Sequence, residues 1–158
     1  MIRVQQEDFD IGAELARLGD GNHAVGGIAS FIGLVRDMSP QAAPGGQSAS
    51  NKIGAMTLEH YPGMTEKQLA AIETEARRRW PLEDCLIIHR CGRLLPGDRI
   101  VLVATASAHR QAALESCAFL IDWLKTKAPF WKLEDGAQGS QWVEARSSDD
   151  QAAARWNK

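Results

Sequence analysis

Between Ser107 and Pro129 the apolar residues Ala113, Cys117, Leu120, Ile121 and Leu124 recur three and four positions apart. That spacing puts them on one stripe of a long helix and obliges the rest of the chain to cover it. Ser107 has the side chain of an N-cap, and Pro129, which cannot continue a helix, marks the end. Just past the stripe comes Lys125-Thr126-Lys127-Ala128-Pro129-Phe130-Trp131-Lys132, three ammonium groups beside two large aromatics. Solvated charge needs no aromatic companions, so this segment is expected to turn inward and set at least one lysine in a partly apolar wall. Desolvation and neighbouring cations both favour the neutral lysine that acts as base or nucleophile. The plainer alternative is a helix C-terminus whose lysines answer the macrodipole before a proline stop.

Strands supply the cover. Residues 2–5 alternate weakly, 24–33 form a glycine-bearing strand that delivers Arg36, and 53–60 form another. Glycine inside a strand points to a close backbone approach or a bulge. The runs 86–89 and 100–103 look like buried strands, joined through the turn Leu95-Pro96-Gly97-Asp98 as an antiparallel hairpin. A further strand is expected over 141–145, with 130–133 extended. Helices are expected from Ile11 to Leu18, from a capping box at Thr65–Gln68 to Pro81, and from Ser148 to about Trp156. Arg77, Arg78 and Arg79 read as surface charge complementing the dipole of the second of these. Residues 38–52, rich in Pro, Gly, Gln, Ser and Ala, read as a mobile loop. A hairpin and short meanders favour a single α+β domain over a doubly wound parallel sheet.

Composition narrows the function classes. A net charge of −2 over 158 residues argues against a general nucleic-acid binder, and no apolar run nears the roughly 20 residues a membrane span needs. The N-terminal residues lack the layout of a signal peptide, so a cytoplasmic protein is expected. The three cysteines, Cys85, Cys91 and Cys117, have no CxxC spacing and sit in apolar runs, which suits small buried side chains. No metal-ligand spacing, Walker loop, GxSxG elbow or dinucleotide fingerprint is present, so neither metal nor cofactor is called for. His89 in an apolar strand reads as a satisfied core histidine; Glu59, His60 and Glu134 are acid–base candidates that the surface would also explain.

Three cationic groups remain: Arg36, the pair His109-Arg110, and Lys125 with Lys132. A cation in the first turn of a helix opposes the macrodipole unless an anion is bound there, although both side chains could also simply point to solvent. Lys125 follows His109 by 16 residues, roughly 24 Å along a helix. One small substrate cannot touch both ends. Either the clusters are separate, or a two-fold partner brings His109 and Arg110 of one subunit to the lysines of the other; the second is the favoured reading.

FIGLVRD (31–37), LEHYPGM (58–64), IHRCGRLLPGD (88–98), SAHR (107–110), LKTKAPFWK (124–132) and WVEAR (142–146) together resemble the large, catalytic subunit of molybdopterin synthase. The blocks fall in that family's order and span nearly the whole chain. The resemblance implies an α+β fold with a hammerhead-type subdomain. It also implies a sulfurtransferase of molybdenum cofactor biosynthesis, which turns cyclic pyranopterin monophosphate (precursor Z) into the dithiolene molybdopterin. Sulfur would arrive as a C-terminal thiocarboxylate on a small ubiquitin-like partner subunit. The implied assembly is a heterotetramer around a central homodimer of the large subunit.

Carried onto this chain, the resemblance makes Lys125 and Lys132 catalytic and gives Arg36, His109 and Arg110 the substrate's phosphate and pterin. Leu34, Val35, Leu133 and Glu134 would flank the same pocket. Lys125 would be the acid–base, or a transient covalent link, and Lys132 would hold charge on the thiocarboxylate oxygen. Leu34 stands where relatives often have lysine, Lys127 where many have arginine, and the 38–52 loop is longer than expected. Two rivals remain: a non-catalytic dimeric module gripping an acidic or phosphorylated ligand, and a cysteine-dependent sulfurtransferase.

Overall fold

The structure, a computed structural model, describes residues 1–36, 54–136, 139–143 and 147–157. The loop expected at 38–52, and the last two residues of the strand expected at 141–145, lie outside them. In chain order the elements are β1 (Ile2–Gln5), α1 (Ile11–Arg17), β2 (Gly27–Leu34), β3 (Ala55–His60), α2 (Met64–Arg79) and β4 (Asp84–Arg90). There follow β5 (Gly92–Leu94), β6 (Arg99–Ser107), α3 (Arg110–Lys127), β7 (Phe130–Gly136), β8 (Gly139–Val143) and α4 (Ser147–Ala154).

Two four-stranded sheets result, in the orders β1-β4-β6-β2 and β5-β3-β7-β8. Among the described residues only β1 with β4 runs parallel and every other pair is antiparallel, so the α+β expectation holds. The first sheet is covered on both faces, which is why β4 and β6 read as unbroken apolar runs. Cys85, Ile87, Val101 and Val103 meet α2 and the stripe Ala113, Cys117, Leu120, Ile121, Leu124 of α3. Leu86, Ile88, Leu102, Ala104 and Ala106 meet Phe9, Ile11, Leu15 and Leu18 around α1.

The hairpin of β4 and β6 is present, Ile87 opposite Val103, but its connection detours: β5 leaves the first sheet and pairs with β3 in the second. Periodicity sees each strand but not which sheet a three-residue strand joins. Val35, Met56, Leu58 and Leu94 then form a small core beside Ile100, where the two sheets meet.

Two expected caps are displaced. Helix α2 is capped two residues before the predicted box: Gly63, at φ 81°, is its N-cap, and Glu66 Oε2 accepts the Gly63 N–H at 2.7 Å. Ser107 is the last, fully buried residue of β6 and donates its hydroxyl to the Pro81 carbonyl at 2.7 Å, leaving the N-cap of α3 to His109. In both cases a hydroxyl with capping chemistry was drawn into a tertiary bond instead.

The arginines of α2 also differ from a plain dipole-complementing row. Arg78 pairs with Glu75, as expected of surface charge. Arg79, with a side chain only 22% exposed, binds Glu75 at 2.6 Å, donates to the Trp156 carbonyl at 2.6 Å and lies 5.0 Å over the Phe119 ring. It fastens the C-terminal segment onto α2 and α3.

Candidate functional site

The site is built around the corner between α3 and β7. Ala128 ends the helix by donating its N–H to the Leu124 carbonyl at 3.2 Å. Phe130 N–H then donates back to the Ala128 carbonyl at 3.0 Å, an inverse γ-turn for which Pro129 supplies the fixed φ. Lys125 stands before this corner and Lys132 after it.

Beyond the corner, strand alternation sorts the side chains. On β7, Phe130, Lys132 and Glu134 face the same way as His60, Leu58 and Met56, their partners on β3. Trp131, 49% exposed, and Leu133 point to the other face. Only one of the two aromatics therefore turns inward: the Phe130 ring stacks on His89 at 3.6 Å and 17°. Lys132, 31% exposed, lies on the same side as the core of Met56, Leu58, Leu94 and Val35, so the partly apolar wall expected for one lysine belongs to it. Its ammonium meets Glu134 Oε1 at 2.5 Å, an ion pair rather than an aligned hydrogen bond. Lys125 is half exposed, with Asp149 of α4 at 3.9 Å.

Arg36 lies two residues past the end of β2. The register of β2 on β6 slips between Gly33 and Leu34, and a Cβ at Gly33 would sit 2.7 Å from Val101 Cγ1. Both readings of the glycine strand, bulge and close approach, hold at one position. After the bulge Val35 is buried, its backbone paired with Asp98 and Gly97, while Leu34 and Arg36 stay exposed at the strand's end. Lys132 and Glu134 are thus paired on the face that carries the core to which Val35 belongs, and Arg36 follows Val35 in the chain. Leu133 is on the opposite face.

His109 and Arg110 lie elsewhere. With Gly26, Gln111, Leu114 and Glu115 they line an open groove of about 750 Å³ at the N-terminal end of α3. A Cβ at Gly26 would meet the Ala108 carbonyl at 2.1 Å, so only glycine lets the chain entering β2 pass here. Glu115 accepts from Trp80 Nε1 at 3.0 Å and Gln111 Nε2 at 2.9 Å, and these bonds, that of Gln111 foremost, hold its carboxyl below the usual range. Helix α3 is continuous from Arg110 to Lys127, so the separation of roughly 24 Å from Lys125 stands. Within one chain the two cationic clusters do not meet.

Sequence reasoning missed Asp149 beside Lys125 and Thr65 beside Pro129. No local signal marks either, because each contact joins residues far apart in sequence. The Lys132–Glu134 pair was legible, since i and i+2 share a face on a strand.

Burial pushes the Cys85 thiol up to about 12 and the Cys117 thiol up to about 11; that of Cys91 is also raised. All three are free and buried, which suits packing and makes poor nucleophiles. His89 is a core histidine whose Nδ1–H donates to the Arg90 carbonyl at 2.8 Å. Burial pushes its imidazole down from 6.5 to about 4. Between those values the unfolded chain takes up a proton that the folded chain does not, so stability falls as pH drops from 6.5 to 4. The loss amounts to roughly 3 kcal/mol. His89→Phe is expected to flatten that part of the stability–pH curve in denaturant titrations; an unchanged slope would contradict the assignment.

Among the described residues no helix is long and apolar enough to cross a membrane, and no three His, Cys, Asp or Glu side chains are grouped to hold a metal.

Against known proteins, the profile of the family described as MoaE protein matches residues 4–127. The molybdopterin synthase catalytic subunit of Pseudomonas aeruginosa is 52% identical over 157 residues, 99% of this chain and 99% of its own. The solved molybdopterin biosynthesis MoaE protein from Burkholderia ambifaria is similar at a TM-score of 0.81 and 51% identity, covering 100% of this chain and 98% of that one. A complex of subunits 1 and 2 of the molybdopterin-converting factor from Helicobacter pylori is similar in fold, at a TM-score of 0.71 and 20% identity over 92% of each chain.

Proposed function

Since the chain belongs to the MoaE family of molybdopterin synthase catalytic subunits, we propose that it transfers sulfur from the C-terminal thiocarboxylate of a small ubiquitin-like subunit to cyclic pyranopterin monophosphate. The observation that carries this is the pairing of Lys132 with Glu134 on the inward face of β7, one corner away from Lys125. Arg36 follows Val35, so an anionic substrate held between that segment and the lysine corner would meet cations from two stretches far apart in sequence, Arg36 from one and Lys125 with Lys132 from the other.

In this reading the small subunit's tail reaches the β7 face, and its thiocarboxylate sulfur bonds to the pterin side-chain carbon as a carbon–oxygen bond there breaks and the oxygen leaves protonated. Water then cleaves the resulting thioester, leaving the sulfur on the pterin and a plain carboxylate on the tail. Lys132, aimed by Glu134, stabilises charge on the thiocarboxylate oxygen. Lys125 moves protons at the carbon receiving sulfur. Arg36 of one subunit, with His109 and Arg110 of a second copy, holds the phosphate and pterin by charge-assisted hydrogen bonds. Leu34 and Val35 wall the pocket near Arg36; Leu133, on the far face of β7, takes no part in it. Sulfur carried on a partner's carboxyl leaves no task for this chain's buried thiols. Together the two subunits form a cytoplasmic heterotetramer around a homodimer of this chain.

The groove at His109 and the lysine corner lie at opposite ends of α3, so the reading needs the two-fold partner. Mixing His109→Ala chains with Lys125→Ala chains tests it. Each mixed dimer would hold one intact site and one doubly defective site, so it is expected to recover about half of wild-type single-turnover activity while both parent homodimers stay inactive. Mixed dimers as inactive as the parents would contradict a shared site.

A further inference from the structure

Thr65 lies in neither cationic cluster, yet it is fully buried and bound on both sides. Its N–H donates to the Tyr61 carbonyl at 2.9 Å, and its Oγ1 accepts the Tyr61 N–H at 3.2 Å. The hydroxyl proton is then free to go outward. It donates to the Pro129 carbonyl at 3.2 Å, across 64 residues of sequence. The turn that makes this possible is Tyr61-Pro62-Gly63, where Gly63 takes a φ of 81° that side chains disfavour. The first turn of α2 is thereby held against the corner that separates Lys125 from Lys132.

The same corner is anchored a second time. Phe130, the next residue, stacks on His89, whose ring is fixed by its own bond to the Arg90 carbonyl. Within the corner the Ala128 carbonyl is used by Phe130 N–H. Between the two lysines the Pro129 carbonyl is thus held by a hydrogen bond from α2 and the Phe130 ring by stacking on β4. A corner that only had to end a helix would need Pro129 alone.

From this geometry we infer that Thr65 is a positioning residue: its hydroxyl fixes the Pro129 carbonyl and so the placement of Lys125 relative to Lys132. The inference rests on the lysine reading given above. It also explains why the turn at 61–63 stands directly before α2, a stretch to which the sulfur-transfer reading assigns no chemistry.

The test is single-turnover sulfur transfer by the assembled complex, comparing Thr65→Val, Thr65→Ser and Lys125→Ala, with melting temperature and small-subunit affinity measured for each. Valine keeps the shape of threonine and loses the hydroxyl; serine keeps the hydroxyl and loses a buried methyl. Misplacing reacting groups by about 1 Å can cost on the order of a hundredfold in rate. Thr65→Val is therefore expected to slow turnover roughly ten- to a hundredfold with affinity for the small subunit within about twofold. Thr65→Ser is expected to stay within about threefold of wild type, even where its melting temperature falls as far as that of the valine variant. Rates that follow melting temperature in both variants would reduce Thr65 to a structural residue and overturn the inference, as would a valine variant at wild-type speed beside an inactive Lys125→Ala. Wild-type turnover by Lys125→Ala would remove the lysine reading itself, and this inference with it.

Discussion

Lys125→Ala is expected to lower the single-turnover rate of sulfur transfer by roughly 10²–10⁴-fold, the span that a positioned acid–base group contributes. The complex with the small subunit should still form, because Lys125 is half exposed at a helix end and its removal opens no cavity. Its one described ionic contact, with Asp149 at 3.9 Å, is long and solvated, so stability should hardly change. A loss in rate without a loss in folding or binding is the signature of a group that acts in the transition state. Turnover within threefold of wild type would place the chemistry on another residue and leave Lys125 as a C-terminal helix charge. Measuring Lys132→Ala in parallel separates the two lysines, since that substitution would also leave the partly buried Glu134 carboxylate without its cation.

The largest stability effect is expected at Phe119. This ring is fully buried at the crossing of α2, α3 and the C-terminal segment. Trp123 lies 4.4 Å away between ring centres, Trp80 5.3 Å and Trp156 5.7 Å, with the Arg79 guanidinium 5.0 Å above. Truncation to alanine removes the ring and the surfaces that four neighbours use, at a cost of about 3–5 kcal/mol. At about 2–4 °C per kcal/mol for a domain of this size, the melting temperature should fall by roughly 10 °C. A fall of only one or two degrees would mean that the aromatic neighbours close the space. Arg79 would then have to be relocated as well, because its stacking partner would be gone.

Much of this architecture was readable from periodicity. The stripe Ala113, Cys117, Leu120, Ile121, Leu124 is buried as its spacing requires, and the strands at 2–5, 86–89 and 100–103 lie inside β1, β4 and β6. What failed was local chemistry overridden by distant partners. Thr65 and Ser107 carry hydroxyls suited to capping, but the carbonyls of Pro129 and Pro81, far away in sequence, took them instead. Likewise, the run 125–132 announced its cations and aromatics but not which aromatic would turn inward. That depended on the β3–β7 register, which sets Phe130 against His89 and sends Trp131 out.

The site was legible in pieces rather than as a whole. Lys125, Lys132, Arg36, His109 and Arg110 could each be picked from charge set against an apolar or helical context. Their placement could not, because it depends on the bulge at Gly33, the detour of β5 and the corner at Pro129. Helix length did carry one spatial statement that survives: the His109 groove and the lysine corner cannot share a small ligand within a single chain.

The central claim is that this chain moves sulfur rather than merely gripping an anion. The direct measurement mixes the wild-type chain with thiocarboxylated small subunit and cyclic pyranopterin monophosphate, then follows both products by mass spectrometry. Sulfur transfer predicts a pterin that gains sulfur as the small subunit's C-terminus returns to a plain carboxylate. A stable complex in which the thiocarboxylate and the pterin both persist unchanged would contradict the account and favour a binding module built on the same cations.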